Sequence, residues 1–254
     1  MNFERWISYR YLIASKGRFL TFLNIISVTG VAIGVTALIV VIGVMTGFGN
    51  NLREKIIGTS PHIMIEKETG IRDYEKLIND VRTLKEVQAA APYVQGNIFL
   101  ESSSQAVGLV LRGIDPGREH QITKVNEYLI KGGLKDLGQD NIIIGNELAR
   151  YFGFQVGDKV TLISPSSGIS SQRWRYELTI SGVFKTGMAD YDMSLAVVHI
   201  SKAREIFNMA EDLVSGIGVK VADPYKADDV KKAMYHAIGF SYLIKTWIDI
   251  NRNL

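Results

Sequence analysis

Few residues in this chain have the types and spacing that catalysis needs. Asp190 and Asp192 flank Tyr191 and could pair as acid and base. They stand beside a Gly-containing turn, Thr186-Gly187-Met188, where two solvated carboxylates are the expectation. Gly145, Gly153 and Gly157 are spaced suggestively, but no Gly-x-x-x-x-Gly-Lys-Ser/Thr occurs, so no nucleotide binds through a P-loop. These glycines read as a turn before a short helix and a Gly-Asp turn before the next strand. His62, His120, His199 and His236 are far apart, and none has a second ligand at helical metal spacing. With no cysteine, thiolate zinc sites, disulfides and cysteine nucleophiles are excluded. Gly-x-Ser-x-Gly is absent as well. The chain reads as a non-enzyme with no metal and no cofactor.

The pattern with consequences is apolar. From Phe19 to Leu52 there is no charged residue, and an uncharged run of ~18–20 residues suffices for a membrane-spanning helix. Arg5, Arg10, Lys16 and Arg18 precede it against a single acid, Glu4, while basic and acidic residues balance beyond it. Lys and Arg concentrate on cytoplasmic flanks, so the N-terminus is expected inside and the large domain outside. The run is much longer than the ~7–15-residue core of a cleaved signal peptide. Residues 2–16 read as an interfacial amphipathic helix or a frayed tail. The even charge of the outer part argues against nucleic acid as a partner.

Within the run, Ser27, Gly30, Gly34 and Ala37 share one helical face, and Gly43 and Gly47 form a second small-residue pair. Such stripes let another helix approach closely in lipid; the alternative is the ordinary Gly and Ala content of apolar segments.

Beyond the span, periodicity and turn signals predict strands at 61–66, 94–101 and 106–114, with a helix at 74–87. Near the C-terminus they predict a strand at 216–221, a helix at 226–238 and a strand at 242–246. Between these units the reading is mainly β, with strands at 142–144, 159–163, 176–184 and 195–200 and short helices at 147–152 and 202–208. Asp115-Pro116-Gly117 and Asp223-Pro224 read as turns. The fold class is α+β: a transmembrane helix, then a domain of two subdomains. Expected segments are 1–18 interfacial, 19–50 spanning, 51–114 with 201–248 as a split βαβ-type subdomain, and 115–200 as a mainly-β insertion. The Ser/Gly-rich loop 164–175 is longer than a hairpin needs. Its Ile169 and Trp174 fit either a docking tip or a hairpin with Trp174 folded back on the sheet.

A series of short motifs carries a resemblance. It comprises Arg10-Tyr11-Leu12, Asn24-Ile25-Ile26-Ser27, Gly30-x-x-x-Gly34, Val44-Met45-Thr46-Gly47-Phe48, Ile144-Gly145-x-x-Leu148-Ala149, Gly153, Gly157-Asp158-x-Val160, Leu162-Ile163-Ser164-Pro165, Thr186-Gly187-Met188, Tyr191-Asp192 and Thr246-Trp247. In this order the chain resembles the opening of the lipoprotein-releasing ABC permeases of the LolC/LolE family. Macrolide-exporter and cell-division permeases are more distant relatives on the same plan.

The resemblance implies an inner-membrane permease with four spans, whose MacB-like periplasmic domain lies between the first and second. It implies a homo- or heterodimer with a second permease subunit and LolD-like ATPase subunits that do the hydrolysis. Residues 249–254 would begin the second span. The loop would recruit a LolA-like lipoprotein carrier through Pro165, Ser167, Gly168, Ile169, Gln172, Arg173 and Trp174. Ile33, Ala37, Val40, Val41, Val44, Met45 and Phe48 would line a cavity for lipoprotein acyl chains, while Ser27, Gly30, Gly34, Gly43 and Gly47 pack against neighbouring helices. Two rival readings are an exporter or mechanotransmission permease with other cargo, and a single-pass anchored binding or scaffold domain.

Overall fold

The charge-free run forms one continuous helix, α1 (Arg18–Thr59), in the computed structural model, which describes residues 3, 4, 6, 7, 10, 18–102, 105–164 and 175–251. Contacts divide the chain into two units, Met1–Arg53 and Glu54–Leu254. In the first, Ile33, Val40, Val44 and Met45 are all exposed on α1. A helix apolar all round belongs in a membrane or a large core, and Thr21–Thr59 is long and apolar enough to cross a bilayer. The interfacial segment falls mostly outside the described residues; Phe3, Glu4, Trp6, Ile7 and Arg10 are helical, with the Arg10 guanidinium over the Trp6 ring.

The second unit runs through β1 (Ile63–Ile71), α2 (Tyr74–Arg82), β2 (Val87–Ser102), β3 (Gln105–Ile114), α3 (Pro116–Ile122) and α4 (Val125–Tyr128). It continues with β4 (Leu129–Lys131), β5 (Asn141–Gly145), α5 (Asn146–Phe152), β6 (Lys159–Ile163), β7 (Arg175–Phe184) and α6 (Ala189–Ser194). The last elements are β8 (Leu195–His199), α7 (Ile200–Ile206), β9 (Val214–Val221), α8 (Ala227–Ile238), β10 (Leu243–Thr246) and α9 (Trp247–Ile250).

Strand β2 is the spine. Its first half pairs with β9 from Val87 to Tyr93, and its second half pairs with β3 from Tyr93 to Ser102. One side of the sheet is therefore β10-β1-β9-β2, built from both ends of the unit. Helices α2 and α8 carry the apolar stripes of this part: Leu77, Ile78 and Val81 on one, Ala227, Val230 and Met234 on the other.

The other side closes on itself. Strand β3 pairs with β8, β8 with β5, β5 with β7, β7 with β6, and β6 returns to β2 through Phe99↔Ile163 and Leu100↔Leu162. The result is a six-stranded barrel. Closure removes sheet edges that would otherwise offer unpaired N–H and C=O groups. Ile142, Ile143 and Ile144 of β5 are all fully buried, as expected of a strand covered on both faces. Phe184, Ile143, Ile114, Leu195 and Val197 share one core cluster.

Two local readings change. Helix α2 ends at Arg82 rather than Val87, and β2 begins at Val87. That stretch, Ala-rich and holding Pro92 opposite Ile217, lacks strand propensity and places proline where edge rules would not. The two Asp-Pro turns open helices. Asp115 and Asp223 each accept from the N–H two residues on, at 2.9 and 3.0 Å, with proline pre-set at the first helical position.

Candidate functional site

At ~100° per residue, Gly30 and Gly34 lie on one side of α1, and Gly43 and Gly47 roughly 140° around it. Ile33, Ala37, Val40, Val41, Val44, Met45 and Phe48 fall within a ~140° arc that also holds Gly30 and Gly34. A Cβ built on Gly30, Gly34, Gly43 or Gly47 would meet nothing within 4 Å.

The residues named for the carrier-docking loop, Pro165, Ser167, Gly168, Ile169, Gln172, Arg173 and Trp174, lie outside the described residues. Its base is described. Ile163 pairs with Arg175 and Leu162 with Tyr176. Arg175 forms an ion pair with Glu101 of β2, and Phe99, in register with Ile163, is exposed. The base of the loop therefore sits beside Phe99 and Glu101 of β2, a neighbour that local sequence signals do not reveal.

Asp192 departs from expectation. It is buried, not solvated. Its Oδ1 accepts from the Thr186 N–H (2.9 Å) and the Thr186 hydroxyl (2.7 Å), and its Oδ2 from the Gly187 N–H (3.1 Å). A carboxylate is tolerated out of water when its lone pairs are met in this way. Gly145 stands directly behind, where a Cβ would fall 2.0 Å from the Asp192 carbonyl oxygen. Gly145 therefore serves close packing. Gly153, with φ of 75°, is the left-handed C-cap of α5, and Gly157, with φ of 100°, turns the chain into β6. Asp190 is exposed and lines an open groove with Glu147, Arg150, Tyr151, Ala189 and Met193.

Among the described residues, no group of three or more His, Asp or Glu side chains could hold a metal ion. His62 is buried, with Nδ1 3.1 Å from the Val221 carbonyl oxygen and 3.2 Å from its amide nitrogen. Burial is the main cause holding its pKa below the ordinary 6.5, opposed by the Val221 hydrogen bond and assisted by Lys220. The unfolded chain therefore takes up this proton first. The stability His62 contributes is fully present above pH 6.5 and is lost as pH falls. Glu119, buried with its carboxylate accepting from the Thr123 hydroxyl, has a raised pKa from burial and acts in the opposite sense. The effect is thus read against a variant. Between about pH 7.5 and about pH 5 the melting temperature of wild type should drop more than that of His62→Gln; equal drops would remove His62 from the account.

A helix long and apolar enough to cross a bilayer, followed by a sheet-and-barrel domain, defines the class: an α+β protein with a candidate membrane-spanning helix. The chain belongs to the MacB-like periplasmic core domain family, whose model matches residues 24–236. It is 36% identical to the lipoprotein-releasing system transmembrane protein LolC of Neisseria meningitidis serogroup B, over 99% of this chain and 62% of that protein. LolC of Xylella fastidiosa (strain Temecula1) is 30% identical over 98% of this chain and 61% of its own length. LolE of Haemophilus influenzae is 23% identical over 98% and 62%. The chain thus spans about three fifths of the length of these curated relatives. The extracellular domain of the ABC-type transporter YknZ, 14% identical, matches 72% of this chain and 99% of its own with a TM-score of 0.49.

Proposed function

We propose that this chain is the N-terminal portion of a permease subunit of an ABC transporter that extracts lipoproteins from the inner membrane and hands them to a periplasmic carrier. The observation that carries the reading is the near-complete alignment with a relative named for lipoprotein release, from α1 through the whole barrel domain. In this reading α1 is the first span, its N-terminus is cytoplasmic, and ATP is hydrolysed by a LolD-like partner subunit. In the same reading this subunit's part is non-catalytic. A second permease subunit covers the small-residue faces of α1 and completes the cavity.

Acyl chains need an apolar route, because each CH₂ moved from lipid to water costs roughly 0.8 kcal/mol. The arc from Ile33 to Phe48 offers one. Lipoprotein enters between the first and second spans, ATP-driven closure squeezes it outward, and the periplasmic domain passes it to a LolA-like carrier held by the loop 164–175.

Photocrosslinking from Ile169 and Trp174 in intact envelopes tests this directly. The expected adduct is a small soluble lipoprotein carrier. An adduct with an outer-membrane channel or a cell-wall hydrolase would keep the architecture and replace the cargo.

A further inference from the structure

The C-terminal turn of α1 is closed by the folded domain. A helix leaves its last four carbonyls without intrahelical partners, and the last turn of this one has no basic residue to offset them. Three are met: Ser60 N donates to the Ile56 carbonyl (3.1 Å), Lys124 N to the Gly58 carbonyl (2.7 Å), and the Tyr191 hydroxyl to the Thr59 carbonyl (3.4 Å). Lys55 Nζ donates to the Gly187 carbonyl at 3.3 Å. Gly58 lies so close under Tyr128 that a Cβ would stand 2.5 Å from the phenol oxygen. The turn is therefore gripped by α4 on one side and by residues 187–191 on the other.

Asp192 makes the second grip firm. Besides its three accepted bonds, its own N–H donates to the Met188 carbonyl at 2.9 Å, and Met188 N donates to the Thr186 hydroxyl at 3.1 Å. This turn follows directly on β7. That strand begins at Arg175, where the loop 164–175 ends, and is paired with β4, β5 and β6. Opposite Ile142 and Ile143 its partners step from Ile180 to Gly182, a bulge at Ser181 that bends the strand, so its ten residues span less than the ~33 Å of a straight strand.

We infer that the turn Thr186–Asp192 is a seat that locks the end of α1 to β7, so that movement of the helix reaches the base of the loop 164–175 along that strand, held in register on either side of its bulge by β5 and β6. Tyr191 and Asp192 are positioning residues that couple hydrolysis to hand-over. The inference rests on the transporter reading above.

The test uses the intact transporter, reconstituted with its ATPase subunit in lipid nanodiscs. Residues 1–254 hold no cysteine; with any cysteine elsewhere in the assembly replaced, spin labels at Glu54→Cys and Glu177→Cys report the seat-to-strand distance. In wild type that distance should be single and unchanged between nucleotide-free and nucleotide-trapped states. In Tyr191→Phe combined with Asp192→Asn it should broaden, with ATP hydrolysis maintained while lipoprotein release falls about tenfold. Tyr191→Phe alone, which removes only one hydroxyl, keeps the test valid if the double variant fails to fold; a partial loss of release at full hydrolysis is expected. Retained hydrolysis with lost release is the split that a merely structural role would not give. A wild-type distance that shifts with nucleotide, or release that keeps pace with hydrolysis in the variants, overturns the seat. Wild type that hydrolyses ATP without releasing lipoprotein overturns the cargo reading instead, leaving the label distances to decide the seat.

Discussion

Val40→Asp should abolish lipoprotein release while leaving the outer domain folded. Val40 is exposed near the middle of the uncharged stretch of α1. An aspartate at the centre of a spanning helix costs about 2.5–3.5 kcal/mol even on the mildest scale. In the proposed route it also places a charge against acyl chains. The check is release of a purified lipoprotein from proteoliposomes, together with membrane fractionation and thermal unfolding of the domain. The expected pattern is protein in the membrane fraction, an unaltered domain transition and release at background; Val40→Leu should behave as wild type. Normal release by correctly inserted Val40→Asp would remove this face from the cargo route. Loss of the protein from the membrane fraction would place the effect in insertion rather than in transport.

Phe184→Ala should be the most damaging single change in the barrel. Phe184 is buried at the end of β7, in the cluster with Ile114, Ile143, Leu195 and Val197. Truncating a buried phenylalanine costs about 3–5 kcal/mol through lost transfer energy and the cavity left behind. For a domain of this size each kcal/mol moves the midpoint by about 2–4 °C, so a fall of roughly 6–20 °C is expected. Val156→Ala, at an exposed site, should stay within about 0.5 kcal/mol. Thermal unfolding of the Glu54–Leu254 unit decides it. A Phe184→Ala midpoint near wild type would mean that the ring is not a sealing element of the barrel core.

The α+β class, the long apolar helix and most strands of the second unit were legible because each depends on residues adjacent in the chain. Period-two alternation marks β1, and the stripe Leu77, Ile78 and Val81 marks α2. The first half of β2 was not legible: Ala89, Ala90, Ala91 and Pro92 are poor strand formers, held there by pairing with β9. Asp192 was misread as solvated because its environment includes Gly145, distant in sequence and pressed against the Asp192 backbone. The base of the loop 164–175 was legible as a pair of strands, but not its position beside Phe99 and Glu101.

The amino-acid sequence by itself determined where the long apolar helix lies and most of the order of its local elements. It also excluded a P-loop and all cysteine chemistry. A charge-free run, a period and a missing residue type are properties of neighbours along the chain. Only the tertiary structure decided that β6 returns to β2 to close a barrel, that Asp192 is an internal fastener rather than an acid, and that the end of α1 is capped by Lys124 and Tyr191. Those facts arise from groups far apart in sequence, whose unmet hydrogen bonds become costly only once folding has removed them from water.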